Sequence, residues 1–330
     1  MEMTKCVKIY KRYANNVLAL LKKHGLLNRE YKVSHDKEYV YIPIIQGSDD
    51  KVHIILKEFE YELIDCLLEK RRKHRDHKYI PSYDLLGDIV VVRENVLENI
   101  SREQLINTLL DLHPHIKAIY IKEKTINEFR LPKLKLIWGV EVGSVIVKEY
   151  GLLFRIMLGK VYYNKRLSEE HRRIATISGD NEKIIDLFSG IGGFPIHIAS
   201  MHKSFILAND LNPYAFVSII DNILLNRKKL RGNIAVTKID AKEFMNFPSL
   251  KEYFDRLIAN LPHKSIEYMY VYDYLLRKNG ILHLYIIGKS LEDVLERIGK
   301  YSDKWFLEKA TRVLDYAPYT YIYRLDLVKR

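Results

Sequence analysis

The chain has few of the features that mark secreted, membrane or fibrous proteins. Cys6 and Cys66 are its only cysteines, so the sequence predicts two isolated thiols, with neither a disulfide framework nor a zinc site. No apolar run approaches the roughly 18 residues of a membrane span, and the N-terminus M-E-M-T-K-C-V-K lacks an apolar signal core. Internal repeats and low-complexity stretches are also missing. We therefore expect a soluble cytoplasmic protein without membrane contact.

The composition instead favours a folded protein with an anionic partner. Apolar residues make up 48% of the chain, which excludes wholesale disorder. The length of 330 residues suits two or three domains. A net charge of +12 points to nucleic acid first and to a membrane surface second. A proteome rich in lysine, isoleucine and tyrosine is the alternative explanation for that charge.

Periodicity divides the chain into four segments. Residues 1–68 read as a small α+β unit, and residues 79–168 read as a second α+β unit. The almost wholly charged run E-K-R-R-K-H-R-D-H-K, residues 69–78, is interpreted as a linker or as a basic tether that touches phosphates. From residue 169 to 330, strands alternate with helices, which predicts a doubly wound, mostly parallel α/β sheet.

Individual elements follow from the same patterns. In the first unit we expect helices at 17–27 and 61–68 and strands at 39–45 and 52–56. In the last segment the expected strands are 183–187, 204–209, 233–238, 255–259, 281–286 and 319–327. The last of these could add an antiparallel pair to the sheet edge.

Three strand ends in the last segment carry the chemistry of a nucleoside site. Gly190 and Gly192 permit a close backbone approach before a helix N-terminus. Asp210 can accept both ribose hydroxyls, and Asp240 can accept an adenine amino group. The third glycine of nicotinamide enzymes is absent, because Pro195 occupies that position.

A turn after the fourth strand narrows the reaction class. Asn260-Leu261-Pro262 offers a side-chain amide and backbone carbonyls that can accept hydrogen bonds from the N–H groups of a planar base. This is the chemistry of a nitrogen methyltransferase that uses S-adenosylmethionine, and an ordinary turn is the alternative.

These residues lie in motifs by which the chain resembles the archaeal and eukaryotic tRNA (guanine-37 N1)-methyltransferase family. The motifs are Y-Y-N-K-R-L-S-E-E-H-R-R-I at 162–174, D-L-F-S-G-I-G-G-F at 186–194, A-N-D-L-N-P at 208–213, N-L-P-H-K-S at 260–265, G-I-L-H-L-Y at 280–285 and P-S-Y-D-L-L-G-D-I at 81–89. The resemblance covers nearly the whole chain. It implies a Rossmann-like class I methyltransferase domain behind two smaller α+β domains. The first of these would read the outer corner of tRNA, and the second would hold the anticodon stem.

The resemblance also assigns roles to residues. The residues expected around the cofactor are Tyr162, Phe188, Gly190, Gly192, Asp210, Leu211, Asp240 and Asn260. The general base falls on Glu170, and the contact to guanine O6 falls on Arg130. Asn260 and Pro262 would orient the base. Apart from the resemblance, we expect Arg166, His171, Arg172, Asn212 and Pro213 to contact tRNA, with a solvated helix face as the alternative for His171 and Arg172.

The chemistry agrees with these roles. Guanine N1 carries a proton at neutral pH, so a carboxylate is needed to take it while the methyl transfers. A guanidinium at O6 would stabilise the negative charge that builds there. The sulfonium of S-adenosylmethionine already activates the methyl, so we expect no metal, and S-adenosylhomocysteine as product.

The chain departs from the family pattern at three positions, and other functions stay open. Lys165 stands where proline is usual, Glu169 where threonine is usual, and Gly193 where proline follows the glycine turn. Glu169 is therefore a second candidate base. The alternatives are a dual-activity form that also methylates C7 of 4-demethylwyosine, an aminocarboxypropyl transferase of that pathway, and a non-catalytic tRNA-binding protein. We expect a monomer.

Overall fold

The structure is a computed structural model that describes residues 2–70, 82–123, 131 and 133–330. The chain forms two compact units, residues 1–78 and 79–330. Among the described helices, none combines the length and the apolar character needed to cross a membrane. The further division of the second unit at residue 168 stays a prediction.

The first unit is a four-stranded antiparallel sheet with two helices. Its elements are β1 (Glu2–Tyr10), α1 (Ala14–Lys23), β2 (Ser34–His35), β3 (Tyr39–Pro43), α2 (Asp49–Ile55) and β4 (Tyr61–Leu68). The strand order is β2-β3-β1-β4. Its core contains Val7, Ile9 and Leu21, which are fully buried between the sheet and the helices.

Two sequence predictions for this unit were wrong. The stretch 52–56, expected as a strand, lies in α2, where Asp49 and Asp50 in the first turn favour a helix start. The stretch 61–68, expected as a helix, is β4, which pairs along its length with β1. Both are short apolar runs, for which periodicity alone separates helix from strand poorly.

The prediction of two isolated thiols was also wrong. Cys6 and Cys66 form a disulfide, with their Cα atoms 6.2 Å apart. The antiparallel pairing of β1 with β4 sets Cys6 opposite Ile64 and Cys66 opposite Thr4, so the two cysteines are diagonal neighbours. A separation of 60 residues in the sequence gave no sign of this proximity.

The second unit begins with a mixed sheet. Its elements are β5 (Tyr83–Leu86), β6 (Ile89–Arg93), α3 (Arg102–Leu112), β7 (Ala118–Lys122) and β8 (Leu134–Gly139), followed by the hairpin β9 (Ser144–Glu149) and β10 (Leu152–Met157). The sheet order is β5-β6-β7-β8, and only β6 and β7 are parallel. Ser101 caps α3 in a capping box with Gln104.

A seven-stranded sheet forms the rest of this unit. Its elements are α4 (Ser168–Ile177), β11 (Lys183–Asp186), α5 (Gly193–Met201), β12 (Phe205–Asn209), α6 (Pro213–Asn226), β13 (Asn233–Thr237), β14 (Phe254–Ala259), α7 (Met269–Leu275), β15 (Leu276–Gly288), α8 (Leu291–Gly299), β16 (Trp305–Ala317) and β17 (Thr320–Lys329). The order is β13-β12-β11-β14-β15-β17-β16. The first five strands are parallel, and β17 and β16 form an antiparallel edge. The predicted doubly wound α/β sheet is confirmed, and β16 was missed.

The strand order places a binding site. The chain runs from β11 outward to β12 and β13 and then returns to β14 on the other side of β11. Ligands of open α/β sheets bind outside the carboxyl ends of the strands at this reversal. The hairpin β9–β10 is fixed against α6, because Asn222 and Asn226, both buried, accept hydrogen bonds from the N–H groups of Arg155 (2.7 Å) and Leu153 (2.9 Å).

Candidate active site

A cavity opens where β11, β12 and β14 end. It is lined by residues that follow these strands, by the 162–171 segment and by the C-terminal hairpin. The residues that line it include Tyr162, Leu167, His171, Phe188, Gly190, Gly193, Asp210, Leu211, Asn212, Asn260, Leu261, Pro262, Tyr268, Tyr316 and Ile322. Six of the predicted cofactor residues are therefore gathered around one space: Tyr162, Phe188, Gly190, Asp210, Leu211 and Asn260.

The glycine turn after β11 has the backbone shape that only glycine adopts easily. Gly190 and Gly192 have φ values of +56° and +86°. The amide of Gly190 donates to Asp210 Oδ2 at 2.8 Å, and that of Gly192 donates to the Ser189 carbonyl at 2.8 Å. The turn is thus hydrogen-bonded to the residue that follows β12, and it leads directly into the N-terminus of α5.

Two acidic residues at this edge are set in different surroundings. Asp210 accepts from the Gly190 and Asn212 amides, and burial raises its pKa. Asp186 is fully buried, and burial raises its pKa to about 8, although the Phe188 amide donates to it. Asp186 Oδ2 has no hydrogen-bond partner among the described residues. Asp210 faces the cavity, whereas Asp186 lies beneath the turn.

Asn209, which was not predicted, supports the strand ends from which the cavity opens. Its side chain, 1% exposed, donates to the carbonyls of Leu187 and Ile239, both at 3.1 Å. Its Oδ1 accepts from the Thr237 hydroxyl at 2.9 Å. One amide therefore ties together the ends of β11, β12 and β13. The signal in the sequence was a polar residue at the end of an apolar strand, directly before Asp210.

The Asn-x-Pro turn is held from below by a buried serine. The hydroxyl of Ser265, 1% exposed, lies within hydrogen-bond distance of the carbonyls of Leu261 (2.7 Å) and Tyr285 (2.6 Å), which share its single proton. The Pro262 carbonyl accepts from the Ile287 amide at 3.0 Å. These contacts fix the turn to β15 and leave the side chain of Asn260 at the cavity wall.

Aromatic rings form much of the remaining wall. Phe188 meets Tyr268 edge to face, with ring centroids 5.3 Å apart. Tyr162, 40% exposed, closes another side. Tyr268 was not predicted, since nothing in its local sequence distinguishes it from a core residue. Apolar rings with a few polar groups among them suit a planar heterocycle.

Glu170 does not line this cavity. Its Oε1 accepts from the Tyr285 hydroxyl (2.7 Å) and Arg324 Nη1 (2.6 Å), and its Oε2 accepts from Arg173 Nε (3.2 Å). Burial raises the pKa of Tyr285 well above its usual value, and Glu170 adds to the effect, so this hydroxyl is a donor. The neighbours Leu167 and His171 do line the cavity. Glu170 is thus next to the cavity, with both oxygens engaged below it.

The pair Glu170–Arg324 continues into a buried polar chain. Arg324 Nε donates to Asp326 Oδ1 at 2.9 Å, and the same oxygen lies 2.6 Å from His283 Nδ1. Arg256 donates to His283 Nε2 at 2.6 Å. Because Arg256 occupies Nε2 as a donor, His283 is the neutral tautomer with its proton on Nδ1, in agreement with the lowering of its pKa by burial. These residues cross the sheet beneath the site.

His171 was predicted to contact tRNA, and the structure corrects this. The residue is 6% exposed, and its Nδ1 lies 2.9 Å from Glu149 Oε2. The same oxygen is 3.1 Å from Nε2 of His197. Burial alone would raise the pKa of Glu149, but the hydrogen bonds from both histidines outweigh it and hold the pKa at about 2. The imidazole is therefore committed to an internal network.

This network could hold a metal ion by its composition, since the ligand atoms of Glu149, His171 and His197 lie within 4.8 Å of one another. Hydrogen bonds among the three groups already account for the arrangement. The network also explains why glycine replaces the usual proline at position 193. A Cβ at Gly193 would come within 2.4 Å of the His171 ring. Proline could not stand at that position beside this histidine.

The other predicted site residues have varied positions. Arg130 lies outside the described residues. Asp240 caps a short 3₁₀ turn through the Lys242 amide and is not among the cavity-lining residues. Asn212, predicted to contact tRNA, is 5% exposed and instead caps α6, with Oδ1 accepting from the Tyr214 amide at 3.0 Å. Its amide donates to the Lys160 carbonyl at 2.8 Å.

The three remaining tRNA candidates are exposed. They are Arg166, Arg172 and Pro213. The guanidinium of Arg172 lies over the Tyr150 ring at 4.6 Å, and Pro213 is the first residue of α6.

An open α/β sheet whose first strand ends in a glycine turn, whose second ends at an acid and whose fourth ends at Asn-x-Pro defines a class I methyltransferase that uses S-adenosylmethionine. The TRM5/TYW2 methyltransferase domain matches residues 145–310. The tRNA methyltransferase 5 N-terminal domain matches residues 6–52, and the TYW2 N-terminal domain matches residues 64–142. The chain belongs to the TRM5/TYW2 methyltransferase family.

Similar proteins extend over the whole chain. It is 31% identical to the tRNA (guanine(37)-N(1))-methyltransferase Trm5b of Methanocaldococcus jannaschii, with 98% of each chain covered. A tRNA (guanine(37)-N(1))/4-demethylwyosine(37)-methyltransferase, Taw22, of Nanoarchaeum equitans is 33% identical over 57% of this chain and 64% of its own. The crystal structure of Trm5b from Pyrococcus abyssi has a TM-score of 0.73 at 24% identity, with 99% and 100% of the chains covered. A complex of aTrm5 with tRNALeu has a TM-score of 0.72 at 29% identity, with 98% and 99% covered.

Proposed function

We propose that this protein transfers the methyl group of S-adenosylmethionine to N1 of guanine 37 in tRNA. The observation that carries the proposal is the joint arrangement of the glycine turn, Asp210 and the Asn260–Pro262 turn around one cavity. Relatives with the same activity span the full length of the chain. A net charge of +12 suits a polyanionic substrate.

The cofactor is assigned to the cavity. The oxygens of Asp210 would accept the ribose hydroxyls, and Phe188 and Tyr268 would hold the adenine ring. When bound, the cofactor supplies the activated methyl group. Asn260, fixed through Ser265, would orient the guanine edge toward it.

Glu170 remains the proposed acceptor of the N1 proton. Its place between Leu167 and His171, which both line the cavity, supports this role. To act, the carboxylate exchanges one of its present partners, Tyr285 or Arg324, for the guanine N1–H. Arg130 is proposed to stabilise the charge on O6, and Glu169, which is exposed, is the alternative base.

The remaining parts of the proposal concern the rest of the chain. The unit of residues 1–78 would read the outer corner of tRNA, and the β5–β8 sheet would hold the anticodon stem. One chain carries both the tRNA-reading parts and the cavity, so we expect it to act as a monomer in the cytoplasm.

Incubation with unmodified tRNA and S-adenosylmethionine, followed by nucleoside mass spectrometry, tests the proposal. We expect 1-methylguanosine from wild-type tRNA and none from tRNA in which guanine 37 is replaced by adenine. Methylation that persists after this replacement would exclude the proposed target.

A dual activity is the second candidate, and the 33% identity to the Nanoarchaeum equitans enzyme favours it. The same assay with tRNA that carries 4-demethylwyosine at position 37 distinguishes the two. A product heavier by one methyl group would establish the second activity, and unchanged 4-demethylwyosine would restrict the enzyme to guanine.

A further inference from the structure

A second space adjoins the cofactor cavity. We call it the side chamber, and its wall includes Tyr83, Arg93, Lys122, Tyr162, Arg166 and Tyr316. Tyr162 and Tyr316 also line the cofactor cavity, so the two spaces share a wall. The side chamber lies between the β5–β8 sheet and the C-terminal hairpin β16–β17.

The side chamber has the composition of a nucleotide site. Arg93 and Lys122 are register partners at the ends of the parallel strands β6 and β7, so two cations stand side by side. Arg166 adds a third. Of the acids in the wall, Asp315 is ion-paired with Arg312, which leaves Asp84 as the other carboxylate. Cations beside aromatic rings match a phosphate beside a base.

Tyr316 is aimed into the shared wall by an irregular strand. The register of β16 against β17 shifts between Asp315 and Ala317, so Tyr316 is the extra residue of a bulge. Its ring meets His263 edge to face with centroids 5.1 Å apart, and His263 directly follows the Asn260–Pro262 turn. The bulge therefore places an aromatic face beside the turn that is proposed to orient the guanine.

We propose that Tyr316 is the stacking surface for the nucleotide that receives the methyl group and that Arg93 and Lys122 contact its backbone phosphate. This inference rests on the proposed function. The base enters from the side chamber with one face on Tyr316 and its edge toward Asn260. The phosphate stays with the paired cations of β6 and β7.

Three variants test the stacking role. Tyr316→Ala removes the ring, and Tyr316→Phe keeps it. Tyr319→Ala is the matched control, because Tyr319 lies at the tip of the same hairpin, is 85% exposed and is not among the residues lining either space. We expect Tyr316→Ala to raise the KM for tRNA by roughly 5- to 150-fold. Tyr316→Phe and Tyr319→Ala should stay near wild type, with S-adenosylmethionine affinity unchanged in all three.

A fluorescence measurement separates stacking from a general effect on folding. In tRNA with 2-aminopurine at position 37, stacking on Tyr316 should quench the probe in the wild-type and Tyr316→Phe complexes, and Tyr316→Ala should restore the emission. Equal KM and equal fluorescence for Tyr316→Ala and Tyr319→Ala would overturn the inference while wild-type methylation stands. Loss of function in Tyr316→Phe would also overturn it, since the ring would then not suffice. A wild-type enzyme that fails to methylate guanine 37 would refute the proposed function and this inference together.

The phosphate contact has its own test. Arg93→Ala should weaken tRNA binding by about 5-fold for any base at position 37 and reduce the slope of log affinity against log salt by about one. Lys309→Ala, an exposed substitution on β16, is the control. An unchanged salt slope in Arg93→Ala would remove this residue from the proposal.

Discussion

Asp210 and Glu170 are two carboxylates at or next to the same cavity, yet they are held in opposite ways. Asp210 accepts hydrogen bonds from the backbone amides of Gly190 and Asn212 and faces the cavity. Glu170 accepts hydrogen bonds from Arg324, Arg173 and Tyr285 and is not among the residues that line the cavity. The first arrangement leaves the carboxylate available to a ligand. The second arrangement holds the carboxylate in hydrogen bonds to side chains next to the cavity.

Under the proposed function, this difference separates the residue that binds the cofactor from the residue that accepts the proton. A carboxylate that is fixed by the backbone presents a constant surface, which suits recognition of a ribose. A carboxylate held by side chains can change partners, which suits a proton acceptor that acts only when substrate is present.

The largest expected effect comes from Glu170→Gln. The amide cannot take the N1 proton, so the single-turnover rate of methyl transfer should fall by about 10²- to 10⁴-fold, with cofactor binding retained. Glu169→Gln is the matched control, because Glu169 is the exposed neighbour, and it should remain near the wild-type rate. Equal losses in the two variants would contradict the assignment of the base.

The next effect is on cofactor affinity. Asp210→Ala removes acceptors for two ribose hydroxyls, and we expect S-adenosylmethionine to bind at least about 100-fold more weakly in calorimetry. Asp303→Ala, at an exposed position outside the cavity lining, is the control and should bind normally. Unchanged affinity in Asp210→Ala would remove Asp210 from the cofactor site.

Arg324→Met tests whether Glu170 is truly held by side chains. The substitution leaves Glu170 and Asp326 without their buried guanidinium, so the free energy of unfolding should fall by about 3–5 kcal/mol. Arg312→Met, on the exposed edge strand, should cost about 0–1 kcal/mol by the same denaturation measurement. Similar losses of unfolding free energy in Arg324→Met and Arg312→Met would mean that the buried ion pair stabilises the protein no more than the exposed one.

The smallest effect concerns Asp186. Burial raises the folded pKa of Asp186 to about 8, well above the value of about 4 that is usual for an aspartate, so folding binds a proton between these two values and the associated stability is lost progressively as the pH rises to about 8. Asp186→Asn cannot lose this proton. The melting temperature of the variant relative to wild type should therefore rise between pH 6 and pH 9 in the absence of cofactor. A difference that is constant with pH would show that Asp186 does not titrate in this range.

The sequence was a good guide wherever the backbone alone determines the outcome. Gly190, Asp210 and Asn260 follow strands that are marked by apolar runs, and parallel strands bring their ends together whatever the side chains do. The gathering of Gly190, Asp210 and Asn260 around one cavity could therefore be predicted from the sequence, and their contacts to the cofactor stay a prediction. The edge hairpin was expected too, although β16 was not, because its exposed face breaks the apolar pattern.

The sequence was a poor guide where the position of a side chain depends on residues far away in the chain. The orientation of Glu170 depends on Arg324, 154 residues further on. The burial of His171 depends on Glu149, and the Cys6–Cys66 disulfide depends on the pairing of β1 with β4. Neither charge nor local periodicity carries this information, since each of these contacts is made between separate elements of the fold.

Single-turnover methylation of tRNA at rising concentrations of S-adenosylmethionine tests the division between the two carboxylates most directly. We predict that saturating cofactor restores the rate of Asp210→Ala to near that of wild type, whereas Glu170→Gln stays slow at every concentration. Recovery of Glu170→Gln by excess cofactor, or an Asp210→Ala enzyme that stays slow at saturation, would contradict the account.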